Sequence, residues 1–392
     1  MKGLRKYLSP FAPDQSGAAA VLCEFHGLII ILDAGGCAGN ICGFDEPRWF
    51  DSRSAIFSAG LRDMDAILGR DDRLVEKIGK ACEKLSAEFI AVIGTPVPAV
   101  IGTDYKALSR MIEKKTGIPA LTMDTDGTKL YDVGEKKTWK ELFKKFTVER
   151  EIEPGRVGII GATPLEFGGV YEEDFLKTYF LEKGFSKVIC YGMGDGLDAV
   201  REAASAEKNI VVSPSGVAAA KYLKQKFGTP YELFCPPEII PEWKEYSIAN
   251  ERKTEDSTKK VEAIEIEKAE TTEEQTPIAD YKKRNGKKIL IVHQQVLANT
   301  LREELCTDSV EQKAQMEREQ ISVASWFLMD KDQKADGDIL LKEEDDWINL
   351  IKEGDYDVII ADSLLKKAVP FYKGEWYDLP HFAISGKKRQ TV

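Results

Sequence analysis

Residues 11–50 read FAPDQSGAAAVLCEFHGLIIILDAGGCAGNICGFDEPRWF, and the rest of the chain is organised around this stretch. The run Leu28 to Leu32 is short and wholly apolar, the pattern of a buried strand. It delivers the chain into Gly35-Gly36-Cys37-Ala38-Gly39, a turn whose one sizeable side chain is a thiol. Glycines there let the backbone approach a large inorganic object while Cys37 faces it. Three of the seven cysteines (Cys23, Cys37 and Cys42) and one of the three histidines (His26) fall between positions 23 and 42. The spacing from Cys37 to Cys42 is wider than Cys-x-x-Cys, and no second close pair completes a four-thiolate zinc site, so zinc is disfavoured.

Next to the thiols, Asp45-Glu46-Pro47-Arg48-Trp49-Phe50 brings two acids, a cation and an aromatic pair. As ordinary structure this is a turn ended by proline, with Trp49 covering the core. As chemistry, Asp45 or Glu46 supplies a ligand or a proton, and Arg48 offsets the negative charge of thiolate-bound metal. Asp45, His26 and Arg48 are the catalytic candidates, and Cys37, Cys42 and Cys23 the metal-binding ones.

Composition narrows the class. At 392 residues the chain is long enough for several cores. A net charge of -11 and a pI near 5.2 argue against a nucleic-acid partner. No run of 18 apolar residues exists, and the start MKGLRKYLSPFAPD lacks the apolar stretch of a signal peptide, which predicts a soluble, cytoplasmic protein that does not enter a membrane. An odd number of irregularly spaced cysteines points to free or metal-bound thiols rather than disulfides.

Further along, strands alternate with helices. Asp71 to Leu85 carries apolar residues at helical spacing, with Cys82 on the apolar stripe as a core residue. Phe89–Ile93 is a strand, Gly94 to Asp104 a loop stiffened by Pro96 and Pro98, and a helix to Lys115 then leads to a strand at Ala120–Met123. A second unit starts near Gly155, with strands at Val157–Ile160 and Lys187–Tyr191 around a helix at Glu172–Lys183. Gly192-Met-Gly-Asp-Gly196 departs from the G-x-G-x-x-G dinucleotide pattern and reads as a plain turn. There is no Walker motif, so any ATP dependence belongs to a partner. From Glu251 to Lys288, 20 of 38 residues are charged, a solvated linker or insertion in which Val261–Glu267 alternates like an edge strand. A third unit follows, with strands at Lys288–His293, Ile321–Met329 and Asp357–Ala361 and helices at Gln295–Leu305 and Glu344–Lys352. His293 and His381 read as hydrogen-bonded structural histidines. The predicted architecture is α/β, three Rossmann-like doubly wound parallel-sheet units. Their bounds are 1–150, 151–248 and 288–392, with the charged segment at 249–287.

The order Pro-x-x-x-Gly-Ala, some twenty mostly apolar residues, then a strand running into Gly-Cys, resembles the amino-terminal region of the nitrogenase component 1 family. In that family the Cys of the Gly-Cys turn ligates an iron-sulfur cluster at a subunit interface, and Cys37 is the matching position. Phe11 and Ala12 stand where the family's first cluster cysteine sits, and Ile90-Ala-Val-Ile-Gly-Thr-Pro96 covers the place of the third. An eight-iron cluster is therefore not expected, and Cys42, with Cys23 as a third, would complete a smaller one. Asn209 to Tyr231, a strand, a turn, a helix and then Phe-Gly-x-Pro-Tyr, is similar to the element that carries the catalytic cofactor's cysteine in nitrogenase; here that position is Val212 or Ser213, so dinitrogen reduction is not expected. Leu379 to Gly386 resembles the family's last strand, and the chain stops before the segment that carries the cofactor histidine.

The resemblance implies an oxidoreductase subunit carrying an iron-sulfur cluster, [4Fe-4S] by ligand count. It would take low-potential electrons from a nitrogenase-reductase-like ATP-dependent iron-sulfur protein and pass them to a small-molecule substrate. The alternative is a non-catalytic scaffold for assembly or delivery of a cluster or metallocofactor. With two sure thiols per chain, a homodimer or a heterodimer with a homologous component 1 subunit is expected to complete the ligand set.

Overall fold

The computed structural model describes residues 5–168, 172–239, 287–306 and 320–386. Three parallel sheets organise them. The first has the order β2-β1-β3-β4, from β1 (Gly27–Ile31), β2 (Ala55–Ser58), β3 (Phe89–Ile93) and β4 (Ala120–Met123). The second, β6-β5-β7-β8, uses β5 (Glu153–Ile160), β6 (Lys187–Cys190), β7 (Ala206–Val211) and β8 (Tyr231–Leu233). The third, β11-β10-β9-β12-β13, is built from β9 (Ile289–Val292), β10 (Ile321–Ser325), β11 (Ile339–Leu340), β12 (Val358–Ala361) and β13 (Glu375–Asp378). The α/β architecture with parallel sheets expected from the sequence is therefore present. The charged stretch 251–286, with its alternating 261–267, lies outside the described residues.

Strand β1 is central because all five of its residues can be buried on both faces. It pairs in parallel with β2, Ile29 opposite Ile56, and with β3, Ile29 opposite Ala91. Helix Asp14–Leu22 is buried along its whole length, as its run of Gly and Ala permits. It crosses helix Tyr131–Phe146 so closely that a Cβ at Gly17 would overlap the Tyr131 carbonyl, and one at Gly134 the Asp14 carbonyl. Glycine is the residue that lets two helix backbones meet in this way. Helix Tyr131–Phe146 packs in turn on helix Val217–Phe227 of the second unit, so one core runs from the first sheet to the second.

Two segments differ from the sequence expectation. Gly94 to Asp104 is not a plain loop: Pro96–Ile101 is a short helix that starts on Pro96, a position where a missing N–H costs nothing, and ends at Gly102 in the left-handed conformation. Leu379 to Gly386 is not a strand. Among the described residues the last strand is β13, which ends at Asp378; the Leu379 amide makes one further bond to Ala361 before Pro380, which has no N–H to continue the ladder. His381 then donates its backbone N–H to Asp362 at 2.9 Å, and Phe382–Ser385 closes as a helical turn.

Candidate functional site

The Cys loop sits at the carboxyl end of β1. Gly35 adopts φ +123°, a conformation that requires glycine, and turns the chain into a short helix, Gly36–Asn40, followed by a π-helical turn, Ile41–Asp45. Asp33 fixes this start: its carboxylate accepts from the Ala38 amide at 2.8 Å and from the Ser58 hydroxyl at 2.6 Å. Cys37 and Cys42 are both half-buried, and the charge of Asp33 reaches both thiols. Burial, then Asp33, raise the Cys37 thiol, while the adjacent Thr95 hydroxyl acts the other way. Burial, then Glu46, push Cys42 up to about 11. Thr95 is held by its own bond to the Leu32 carbonyl at 2.8 Å, which places the loop after β3 against the Cys37 thiol.

The remaining candidates have other partners. Cys23 lies toward the opposite end of β1. Its carbonyl accepts from Ser54, whose hydroxyl meets the Gly27 amide, and its thiol donates to Ser52 at 3.1 Å. Burial pushes that thiol up to about 12. His26 is exposed at φ +56° in the turn just before β1, five strand residues and roughly 16 Å from the Cys loop. Asp45 accepts from Ser16 at 2.6 Å and from Asn40 at 3.0 Å. Arg48 is buried and bidentate to Glu46, both bonds 2.8 Å, and also donates to the carbonyls of Ala20 and Gly192. Burial alone would lower the Arg48 guanidinium, but Glu46 outweighs it and holds the group raised. Arg48 thus ties the Cys loop to the first helix and to the glycine turn after β6.

Exposed apolar side chains occur on the Cys loop and on two neighbouring short helices. Phe44 and Phe50 are 75% and 92% exposed, and Ile67 and Val100, 74% and 86% exposed, stand on the helices Asp63–Leu68 and Pro96–Ile101, which pack against each other. A Cβ added at Gly36, Gly39 or Gly43 would meet nothing within 4 Å, so this face of the loop is open. Half-exposed thiols on an open glycine loop fit the edge of an iron-sulfur cluster. They supply only part of its ligand set, since among the described residues no three His, Cys, Asp or Glu side chains are arranged to hold a metal ion.

Residues 14–310 match the family described as nitrogenase component 1 type oxidoreductase. The chain belongs to this family. Among curated relatives, the nitrogenase iron-molybdenum cofactor biosynthesis protein NifE of Klebsiella pneumoniae is 25% identical over 292 residues, 66% of this chain and 59% of its own. NifE of Bradyrhizobium diazoefficiens is 25% identical over 240 residues, 55% and 42%. The chain thus spans about half the length of these curated relatives. The solved structure of nitrogenase Cp1 at pH 6.5 superposes with a TM-score of 0.63 at 14% identity, over 97% of this chain and 87% of that one, which shows a shared fold. Of Val212 and Ser213, the two positions that the resemblance aligns with the cofactor cysteine, Ser213 has its hydroxyl buried and donating to the Gly161 carbonyl at 2.9 Å. Among the described residues no helix is long and apolar enough to cross a membrane.

Reasoning from the sequence missed Asp33 and Thr95, which support the loop. A signal for both existed: each lies two residues past the carboxyl end of a buried strand, where doubly wound sheets place their sites.

Proposed function

We propose that this component 1 family member holds an iron-sulfur cluster through Cys37 and Cys42 at a face it shares with a second, homologous subunit, and that it serves as a scaffold in the assembly or delivery of a metallocofactor. The observation that carries the reading is the pair of half-exposed thiols on an open glycine loop. Two thiols from each of two chains would make the four ligands of one [4Fe-4S] cluster. The chain's own groups bind and exclude. Cys37 and Cys42 supply thiolates, Asp33 holds the Ala38 amide, and the exposed Phe44 and Val100 would shed water when they meet the partner. Such a cluster, when bound, supplies one-electron chemistry.

The relatives named for iron-molybdenum cofactor biosynthesis favour the scaffold. The family's own description supports a second reading, an oxidoreductase; in that reading the chain would pass electrons from an ATP-dependent iron-sulfur reductase to a small molecule. Anaerobic reconstitution with iron and sulfide, followed by native mass measurement, tests the cluster: about four irons per dimer are expected, lost in Cys37→Ala and Cys42→Ala. Full iron content in both variants refutes the ligand assignment. Transfer of metal to an apo-acceptor separates the scaffold from the oxidoreductase, which keeps its iron through turnover.

A further inference from the structure

Where the three sheets meet, the chain buries a set of ionisable groups that the Cys loop does not use. Glu135 projects from helix Tyr131–Phe146, Glu166 from the turn after β5, and His381 follows β13; all three are fully buried. The space beyond the carboxyl ends of strands is where open α/β sheets commonly bind ligands. Here side chains fill it, and apolar ones would fill it at lower cost.

The Glu135 carboxyl accepts from the Thr163 hydroxyl at 2.6 Å through one oxygen, and its other oxygen completes no hydrogen bond. Neither oxygen of Glu166 completes one, although the Tyr131 and Ser213 hydroxyls lie close enough to favour its ionised form. Glu166 Oε2 lies 3.7 Å from His381 Nε2, and that nitrogen is 2.8 Å from the Tyr131 hydroxyl. The His381 ring stacks on His293, their centroids 4.2 Å apart.

The other charges facing this junction do not neutralise it. On the same helix, Asp132 is buried and accepts from the Leu328 and Val133 amides, with Lys136 as its nearest cation. From the Cys loop, Arg48 reaches Glu135 only at long range and is already paired with Glu46. Asp14, on the helix packed behind, faces the amides of Asp126 and Gly127. From the third sheet, Asp362 is occupied by the His381 amide.

We propose that Glu135, Glu166 and His381 form a proton-dependent latch that holds the junction of the second and third sheets shut and loosens it as pH rises. In the closed state the two carboxyls retain protons. Raising the pH releases these to solvent and leaves two buried carboxylates that repel each other, with the His381 ring beside them, 3.7 Å from Glu166. Burial pushes both carboxyls upward, and for Glu166 the charge of Glu135 adds to it. A group raised on folding contributes stability that is complete below its unfolded value and is lost as pH rises through its folded value. The latch therefore weakens from the ordinary carboxyl range upward.

The test uses the full chain. Hydrogen exchange at the His381 amide, compared at about pH 5.5 and about pH 8.5 after correction for intrinsic rates, should show protection falling at least tenfold at the higher pH. In the Glu135→Gln/Glu166→Gln double variant that pH dependence should vanish, and the same loss of slope should appear in thermal unfolding. An unchanged slope in the double variant overturns the proposal. Should the variant fail to fold, infrared spectra of the Asp132→Asn variant decide: the carbonyl band of a protonated carboxyl should be present at the lower pH and fade at the higher, and its absence at the lower pH or its persistence unchanged at the higher refutes the latch.

Discussion

Replacing Arg48 by Met separates a structural clamp from a charge that serves a cluster. Arg48 is 3% exposed and its guanidinium makes two bonds to Glu46 and one each to the Ala20 and Gly192 carbonyls. Removing it strands Glu46, itself 3% exposed, and breaking one partner out of a buried pair costs about 3–5 kcal/mol. The two carbonyls that lose a donor add about 1 kcal/mol each, partly offset by the apolar contacts of Met. The net expectation for Arg48→Met is a loss of about 4 kcal/mol in urea denaturation followed by circular dichroism. The Glu46→Leu/Arg48→Met double variant removes the stranded charge and leaves only the two carbonyls, so it should be about 2 kcal/mol more stable than the single variant. A single variant within about 1 kcal/mol of the wild type, or a double variant no better than the single, would refute the clamp.

Glu344 accepts from the backbone amides of Lys6, Tyr7 and Leu8 at 2.8, 3.0 and 2.8 Å. Burial pushes its carboxyl upward, but these three amides and Arg5 outweigh that and hold it below the ordinary range, so its contribution is present above the unfolded value and is lost as pH falls through the folded one. Glu344→Gln should cost about 1–2 kcal/mol and expose residues 5–12 to protease at neutral pH, as acid should in the wild type; unchanged cleavage would contradict this. Gly134→Ala places a methyl group on the Asp14 carbonyl, and a loss of more than about 3 kcal/mol is expected on denaturation, with a neutral result showing that the helices can separate cheaply. Cys23→Ser and Cys82→Ala should each cost about 1 kcal/mol and leave reconstituted iron unchanged, because one thiol already bonds to Ser52 and the other lies on an apolar helix face; iron loss from a folded variant would make that cysteine a ligand.

What the sequence made legible follows from which contacts are local. Leu28–Leu32 and Phe89–Ile93 announce themselves because a strand buried on both faces must be apolar throughout. Helix Tyr131–Phe146 went unread because it buries Asp132, Glu135 and Thr138 alongside Trp139 and Phe143, so its inward face has no clean hydrophobic period. Pro96 and Pro98 suggested a loop, whereas Pro96 occupies the one helix position that suits it. In the candidate site, Cys37 and Cys42 stood out by type and spacing. The roles of Asp33 and Thr95 depend on β1 and β3 lying side by side, and the burial of Glu135 and Glu166 depends on all three sheets converging. Neither follows from any short window of sequence.

The bonds from Lys6, Tyr7 and Leu8 to Glu344, with the bond from Ala12 to Ala383, make an early-made segment wait for one made at least 336 residues later. The ribosome adds about 5–20 residues per second, so some 336 residues separate Leu8 from its acceptor by roughly 20–70 s of synthesis. Through that interval Phe11 has neither Trp326 nor Phe327 to pack on, and the nascent amino terminus presents an unpaired aromatic just ahead of the thiol loop. A chain arrested before Glu344 would emerge with residues 6–8 unsecured, so the strap ties closure of the core around the third sheet to synthesis beyond Glu344.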